Sequence, residues 1–435
     1  MNGPPALAAM SVAIAALAFL CAFAAAWVFL LSLVNSLWLA STNRVLPLRS
    51  GPKISVLIPA RNEAARIEKC VASLLAQDYE DYELIVYDDD SSDETGSILD
   101  RLAAARETGA ADEAGLAQTA AAQEAGAMHE APAAQPRLRV IHGRSLPEGW
   151  YGKAWAMHNL SQAATGDYLL FTDADTVHGV RSLGRLAALA RRYSADLVSG
   201  YVQHEIPDFG QAAMVPSIYL LTMAIMPLGL IHRTRSPAIS HAIGQCMFFK
   251  AETYRRIGGY EAVRDQISED VRIARLAKRG GARLVFADLK DQVSCSMYET
   301  YQAAVDGIAK NVFDYLDKSR FLLALVTCAV PLVCYLPLIA SVWLPPTLCA
   351  AGALGAPPGA ALGAAGALGA PQAWFRIANC LFFAAWIPVT IERRLPWYQP
   401  LISPLVLAST LSAGWRARSR FRKGESLLWK GRKVS

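Results

Sequence analysis

The sequence predicts an α/β domain with a mostly parallel sheet, flanked by N-terminal and C-terminal transmembrane helices. Three observations lead to this fold class. An uncharged apolar block, Ala6 to Ala40, lies near the start of the chain, and another, Phe321 to Trp343, lies in its last third. Each exceeds the roughly 20 residues that cross a bilayer. Between them, short apolar runs alternate with helical patterns, as they do in α/β domains.

The first block is predicted to be a membrane anchor over residues 1–43. A cleaved signal peptide is the alternative, but such peptides have a basic start and a shorter apolar core. Here the first basic residue is Arg44, and Arg49 and Lys53 follow it. The positive-inside rule therefore predicts that the next segment is cytoplasmic.

The C-terminal membrane region is predicted over residues 319–415. Phe321 to Trp343 is long enough to span the bilayer, whereas Ile377 to Ile391 and Leu401 to Ala413 are shorter and contain proline. Each of the shorter stretches fits a span, a half-span or an interfacial helix. The Ala/Gly-rich run from Cys349 to Ala370 fits a loop or a weak helix.

The tail, residues 416–435, holds eight basic residues against one acid and should face the cytoplasm. A cytoplasmic tail requires an even number of crossings after residue 318. The tail also supplies most of the net charge of +5, so no nucleic-acid partner is expected. The eight cysteines have no metal-type CxxC spacing, which indicates reduced thiols.

The middle domain is predicted over residues 44–318, with a flexible Ala- and Glu-rich insertion at 103–136. Its first strand is "ISVLIPA" (Ile54 to Ala60), followed by a helix. "YELIVYDDD" predicts a second strand, "LRVIHG" (Leu138 to Gly143) a third, and "YLLFT", directly before Asp173-Ala174-Asp175, a fourth.

Acidic side chains follow three of these strands. On a strand, Asp173 and Asp175 would point to the same side. Ligands of open parallel sheets bind outside the carboxyl ends of the strands, where these acids should gather. Crowded carboxylates repel unless a cation offsets them, so the sequence predicts a site for a nucleotide diphosphate and a divalent metal. The acids are Glu63, Asp88, Asp89, Asp173 and Asp175.

Several motifs together resemble the family 2 glycosyltransferases with the GT-A (Rossmann-like) fold, which transfer a sugar from a nucleotide donor with inversion. These are "SVLIPARNE", "ELIVYDDDSSDET", "GK" at 152–153, "DADT", "GQCMFFK" and "SEDVRIARLAKRGG". "LPEGWYGKAWAM", "GIAKNVF" and "WKGRK" are most similar to bacterial membrane enzymes associated with hopanoid and carotenoid biosynthesis. The resemblance implies a multi-pass protein of the bacterial inner (cell) membrane with a cytoplasmic catalytic domain.

The resemblance also implies roles for individual residues. Asp270, with Glu269 beside it, is expected to be the general base that deprotonates the acceptor hydroxyl. Asp173 and Asp175 are expected to hold Mg²⁺ or Mn²⁺ on the diphosphate. The resemblance assigns the nucleotide-sugar donor to Pro59, Glu63, Asp88, Asp89, Lys153, Asp173, Gly244 and Gln245, with Asp88 on the base and Lys153 on phosphate or ribose.

Two regions keep alternative interpretations. Processive synthases of the family have Gln-x-x-Arg-Trp where this chain has "VDGIAKNVF", so the resemblance favours a single transfer over polymerisation. Lys310 in that stretch fits either a phosphate contact or a basic residue at the membrane boundary. The apolar segment Phe209 to Ile231 fits either a buried helix pair or an interfacial surface that admits a lipid acceptor.

The sequence therefore predicts a membrane-bound inverting glycosyltransferase. The predicted donor is a nucleotide-sugar, with a UDP-sugar favoured, and the predicted acceptor is a lipid hydroxyl. Three alternatives remain: a polyprenyl-phosphate glycosyltransferase, a nucleotidyltransferase and a non-catalytic scaffold. A phosphate acceptor would need no base, and a nucleotidyltransferase would release pyrophosphate. The sequence assigns neither the sugar, the lipid nor an oligomeric state.

Overall fold

A computed structural model describes residues 4–107, 138–143, 145–315, 319–343, 371–422, 427–429 and 432–434. The chain forms two compact units. The sheet unit consists of Leu39–Glu205, Gly229–Met297 and Ser426–Ser435, and the helical unit of Met1–Trp38, Ile206–Leu228 and Tyr298–Glu425. The four-segment division along the chain, with its boundaries at residues 43, 318 and 415, stays a prediction.

The sheet unit is built on a seven-stranded, mostly parallel sheet of order β3-β2-β1-β4-β8-β6-β9, in which β8 runs antiparallel to both of its neighbours. The α/β class with a mostly parallel sheet, predicted from the apolar runs, is confirmed. The strands are β1 (Ile54–Ala60), β2 (Tyr82–Asp88), β3 (Leu138–His142), β4 (Tyr168–Thr172), β6 (Leu197–Tyr201), β8 (Cys246–Lys250) and β9 (Leu284–Asp288).

The helices of this unit alternate with the strands, as the change from apolar runs to helical periodicity predicts. They are α2 (Ile67–Leu75), α3 (Thr95–Glu107), α4 (Gly152–Ala163), α5 (Ser182–Tyr193), α8 (Ala251–Arg256) and α9 (Glu269–Arg279). The three-stranded sheet β5-β10-β7 consists of β5 (Thr176–His178), β10 (Val293–Cys295) and β7 (Gln203–His204). A hairpin, β11 (Leu427–Trp429) and β12 (Arg432–Val434), lies in the tail.

The helical unit contains long apolar helices and one segment, Ile206–Leu228, with two short helices. The helices are α1 (Pro4–Asn43), which belongs to this unit up to Trp38, α6 (Phe209–Ala212), α7 (Ser217–Met223), α10 (Tyr301–Tyr315), α11 (Arg320–Cys334), α12 (Leu336–Trp343), α13 (Pro371–Glu392) and α14 (Gln399–Arg422). Among the described residues, three helical stretches are long and apolar enough to cross a membrane: Val12–Asn43, Arg320–Trp343 and Pro371–Glu392. Two of these stretches follow residue 318 in the described part of the chain, and the number of crossings stays a prediction.

The segment Ile206–Leu228, which contains α6 and α7, belongs to the helical unit rather than to the sheet unit. Asn35, fully buried on α1, donates to the carbonyls of Met223 and Met226 at 2.8 Å each and accepts from Leu228 N at 2.8 Å. Irregular backbone among apolar helices needs such partners. Of the predicted stretch Phe209 to Ile231, α6 and α7 therefore form a largely buried helix pair within the helical unit, and a role in meeting a lipid stays a prediction.

Two predicted low-complexity regions fall largely outside the described residues. Residues 103–107 of the predicted insertion are the last turn of α3, and 108–136 are not described. The Ala/Gly-rich run from Cys349 to Ala370 also lies outside the described residues.

Candidate active site

The predicted acidic residues gather because β2, β1 and β4 are adjacent and parallel. β1 pairs with β2 up to Ala60 beside Asp88, and with β4 up to Leu57 beside Phe171. The carboxyl ends of the three strands therefore share one edge of the sheet. Pro59 lies beyond the last β1–β4 pair, so its missing N–H costs no hydrogen bond to β4.

Hydrogen bonds join the loops after β1 and β2. Asn62, with φ 52°, accepts from Ser92 N at 2.9 Å, and its own N–H donates to the Ser91 hydroxyl at 3.0 Å. The backbone N–H of Glu63 donates to the Thr95 hydroxyl at 2.8 Å. These contacts fix the "RNE" and "DDSSDET" motifs relative to each other before any ligand binds.

Asp88 and Asp89 are both buried at the end of β2. Asp88 Oδ1 accepts from Ser91 N at 3.2 Å, and its Oδ2 lies 3.2 Å from His142 Nδ1. The backbone N–H of Asp89 donates to the Ala60 carbonyl at 2.8 Å. Asp88 therefore lies at the predicted edge, with its carboxylate held on both sides.

Lys153 connects the metal motif to the base motif. It is the second residue of α4, and its Nζ lies 2.8 Å from Asp173 Oδ1 and 3.4 Å from Glu269 Oε1. Burial disfavours the charged ammonium, but the attraction of Asp173 and Glu269 outweighs burial and raises the pKa of Lys153 well above its usual value. One cation thus stabilises carboxylates that come from distant parts of the sequence.

Asp173 and Asp175 lie in the turn between β4 and β5 rather than on the strand itself, because β4 ends at Thr172. The expectation that the strand's alternation brings them to one side is wrong. Thr176 N and its hydroxyl both donate to the Asp173 carbonyl, at 3.2 and 2.7 Å, and this bonding closes the turn.

The environment of Asp175 suits a cation. Its Oδ1 is buried and has no hydrogen-bond partner among the described residues. Burial, followed by repulsion from Asp173 and Glu63, raises the pKa of Asp175 to about 7. Among the residues that the structure describes, no group of three or more His, Cys, Asp or Glu side chains is arranged to hold a metal. Two carboxylates that need further oxygens fit Mg²⁺ or Mn²⁺ completed by a diphosphate.

The predicted base motif begins α9. Asp270 is half-buried, with Oδ1 accepting from Val271 N at 2.7 Å and Oδ2 from Gly244 N at 2.9 Å. Burial and then repulsion from Glu269 raise the pKa of Asp270 to about 6, although Lys153 opposes this rise. A carboxyl with that pKa is mostly ionised at neutral pH and still basic enough to take a proton.

Gly244 lies where a side chain would obstruct this arrangement. A Cβ at residue 244 would lie 3.1 Å from Lys153 Nζ and 3.6 Å from Asp270 Oδ2. Its neighbour Gln245 is 2% exposed, donates to Cys295 Sγ at 3.0 Å and lies 3.0 Å from His204 Nε2. The side chain of Gln245 is therefore held by Cys295 and His204, and its contact with a substrate stays a prediction.

Two other residues, Lys310 and His178, have different surroundings. Lys310 lies on α10 of the helical unit, and its side chain is outside the described residues. His178 is buried between the hydroxyls of Thr172 and Ser182, at 3.0 and 3.1 Å. Burial lowers the pKa of His178 to about 3, which fits a neutral histidine that serves a structural role.

His142, the last residue of β3, is at the site although the sequence did not predict it. Its Nδ1 lies 3.2 Å from Asp88 Oδ2, and its Nε2 lies 2.8 Å from Asp100 Oδ1. The only signal was its position directly after a predicted strand, at the edge where the acids gather.

Comparison with known proteins finds its family match mostly within the sheet unit. The model of glycosyl transferase family 2 matches residues 55–110 and 125–258. A 4,4'-diaponeurosporenoate glycosyltransferase from Staphylococcus haemolyticus is 24% identical over 264 residues, 60% of each chain. A GalNAc(5)-diNAcBac-PP-undecaprenol beta-1,3-glucosyltransferase from Campylobacter jejuni is 45% identical over 51 residues, 12% of this chain and 16% of the relative.

The chain thus spans less than two thirds of the length of each of these curated relatives. Among solved structures, a mannosyltransferase from Pyrobaculum calidifontis in complex with GDP-Man and Mn²⁺ aligns over 92% of this chain and 99% of its own. The identity is 17% and the TM-score 0.48, too low to carry a conclusion about function.

Proposed function

We propose that this chain is a family 2 glycosyltransferase that transfers one sugar from a UDP-sugar to a lipid hydroxyl, with inversion; the match of the family 2 model to residues 55–110 and 125–258 supports this proposal. The observation that carries this proposal is the position of Lys153 between Asp173 and Glu269. Donor-binding and proton-accepting motifs separated by almost a hundred residues thereby form one cluster.

The donor side consists of the strand ends. Asp88 receives the nucleotide base, with Asp89 beside it, and Pro59 and Glu63 line the same edge. Lys153 lies 2.8 Å from Asp173 and can turn to the diphosphate when the donor enters, because an ammonium bonds phosphate as readily as carboxylate. Gly244 leaves the space for that movement.

Asp173 and Asp175 hold the divalent metal. The unpartnered, buried Oδ1 of Asp175 supports this assignment, because an unmatched carboxylate oxygen is costly in a folded protein. When bound, Mg²⁺ or Mn²⁺ stabilises the negative charge that develops on the departing diphosphate.

Asp270 accepts the proton of the acceptor hydroxyl. The acceptor oxygen forms a bond to the anomeric carbon from the face opposite the diphosphate, the carbon–oxygen bond to the diphosphate breaks, and nucleoside diphosphate leaves. The two backbone N–H groups on Asp270 fix the carboxylate, so little reorganisation is needed for proton transfer. Glu269 balances the charge of Lys153.

A lipid acceptor fits the helical unit and the names of the relatives. Three candidate spans indicate an integral membrane protein, and we place it in a bacterial inner membrane with the sheet unit cytoplasmic. One relative is named for a carotenoid acid and another for an undecaprenol-linked acceptor. Hopanoid or carotenoid lipids are therefore the first acceptors to test, with Ile206–Leu228 as the element that meets the lipid.

The test uses membranes containing the protein, labelled UDP- and GDP-sugars, and Mg²⁺ or Mn²⁺, with mass analysis of the extracted lipids. We expect a metal-dependent glycolipid that is missing from Asp173→Ala membranes and present with Asp265→Asn, an exposed acid outside the cluster. Nucleoside diphosphate release without a glycolipid would refute the lipid acceptor. Release of pyrophosphate would instead identify a nucleotidyltransferase.

A further inference from the structure

His142 lies between two carboxylates at the edge of the sheet. It is paired with Asp88 across β2 and β3, and its two ring nitrogens lie 3.2 Å from Asp88 Oδ2 and 2.8 Å from Asp100 Oδ1. Asp100 belongs to α3, which follows the loop that carries the acidic motif. Three elements therefore meet at this imidazole.

The two contacts together fit a charged ring. An ionised carboxylate can only accept hydrogen bonds, and neutral histidine carries a single N–H. Bonding both carboxylates at once therefore needs the imidazolium form. In agreement, the hydrogen bond from Asp100, ahead of the opposing effect of burial and the bond to Asp88, raises the pKa of His142.

The carboxylate of Asp88 has little freedom in this arrangement. Its residue is 6% exposed, Oδ1 accepts from Ser91 N at 3.2 Å, and Oδ2 faces His142. A Cβ at Gly96 would lie 3.0 Å from Oδ2 and 3.8 Å from His142 Cε1. Each carboxylate oxygen keeps a second lone pair for a ligand.

We propose that His142 is a positioning residue that holds Asp88 as a fixed, ionised hydrogen-bond acceptor and thereby selects a nucleotide base with a ring N–H. Uracil offers N3–H and guanine N1–H at the corresponding edge, whereas cytosine and adenine offer a ring nitrogen lone pair that a carboxylate repels. This inference rests on the proposed function, because that function assigns Asp88 to the base of the donor.

The experiment measures equilibrium binding of UDP, GDP, CDP and ADP to the purified full-length protein in detergent. We expect wild-type protein to bind UDP at least about tenfold more tightly than CDP, since a hydrogen bond to a charged group is at stake. His142→Ala should reduce that ratio by about tenfold. His158→Gln is the control, because this half-buried histidine stacks on Trp155 and does not contact Asp88.

Two conservative variants separate positioning from packing. Asparagine places an N–H donor where Nδ1 of histidine lies, so His142→Asn should keep most of the preference for UDP over CDP. His142→Gln places its donor nearer the Nε2 position, towards Asp100, and should lose the preference. Equal loss of affinity for all four nucleotides in His142→Ala, or equal behaviour of the two amide variants, would overturn the proposal.

Asp88→Asn distinguishes this inference from the function on which it rests. If that variant binds all four nucleotides as wild type does, Asp88 does not meet the base, and the donor assignment fails together with the role of His142. If Asp88→Asn loses the preference for UDP and His142→Ala keeps it, only the role of His142 is refuted.

Discussion

Asp270→Asn removes the proposed general base while nearly preserving the shape of the side chain. We expect sugar transfer to fall at least about 100-fold, the lower range for a lost acid–base group. Donor binding should stay within about twofold, because the carboxylate of Asp270 accepts hydrogen bonds from Val271 N, on its own helix, and from Gly244 N. In wild-type protein, the rate should rise with pH through about 6, the raised pKa of Asp270.

The same substitution should stabilise the empty protein at high pH. Raising the pKa of Asp270 from 3.8 to about 6 corresponds to about 3 kcal/mol of destabilisation of the folded state once the group is ionised. Asparagine abolishes that charge but cannot accept from both backbone N–H groups, which costs about 1–2 kcal/mol. The net gain in the free energy of unfolding is about 1–2 kcal/mol.

The sign of the pH dependence follows from the raised pKa. Below about pH 3.9, the pKa of aspartate in the unfolded chain, wild-type Asp270 is protonated in both the folded and the unfolded protein. The folded state is then at its most stable with respect to this group. That stability is lost as the pH rises through about 6, the pKa of Asp270 in the folded protein. The advantage of the variant should therefore be present at pH 8 and largely absent at pH 5. Thermal unfolding of detergent-solubilised protein at both pH values measures it, with Asp265→Asn as the control.

Two results would refute this reasoning. A transfer rate within tenfold of wild type would show that Asp270 is not the base and would favour a phosphate acceptor, which needs none. A variant that is less stable than wild type at pH 8 would show that the burial of Asp270 does not oppose its charge.

Three further predictions concern the surrounding residues. Lys153→Met should move the acid limb of the pH–rate profile to higher pH, because Lys153 lowers the pKa of Asp270; an unmoved limb would contradict their coupling. Asp175→Asn should weaken Mn²⁺ binding, measured by electron paramagnetic resonance without donor, at least about tenfold; unchanged binding would place the metal elsewhere. Asn35→Leu should lower the thermal unfolding temperature, because each backbone group left without a hydrogen-bond partner costs about 1–3 kcal/mol. Ser36→Ala is the control: it loses a hydrogen bond to the Ser32 carbonyl and should change the unfolding temperature little.

The resemblance of separate motifs supplied most of the candidate residues, and the fold explains why several of them lie near each other. Parallel strands expose their carboxyl ends on one edge, so Asp88 and the acids after β4 must lie near each other once the strand order is known. The strand beginning at Ile54 and ending at Ala60 was predicted residue for residue, because all seven positions are buried and read as one apolar run.

Alone, the sequence determined the type of each element, the apolar stretches long enough to span a bilayer and the edge at which the acids gather, because these depend on local composition and periodicity. Only the tertiary structure decided which distant groups touch. It brought Lys153 to both Asp173 and Glu269, set His142 between Asp88 and Asp100, and assigned Ile206–Leu228 to the helical unit. Such contacts depend on strand order and side-chain packing, which bring together residues far apart in the chain and leave no periodic signal in either segment alone.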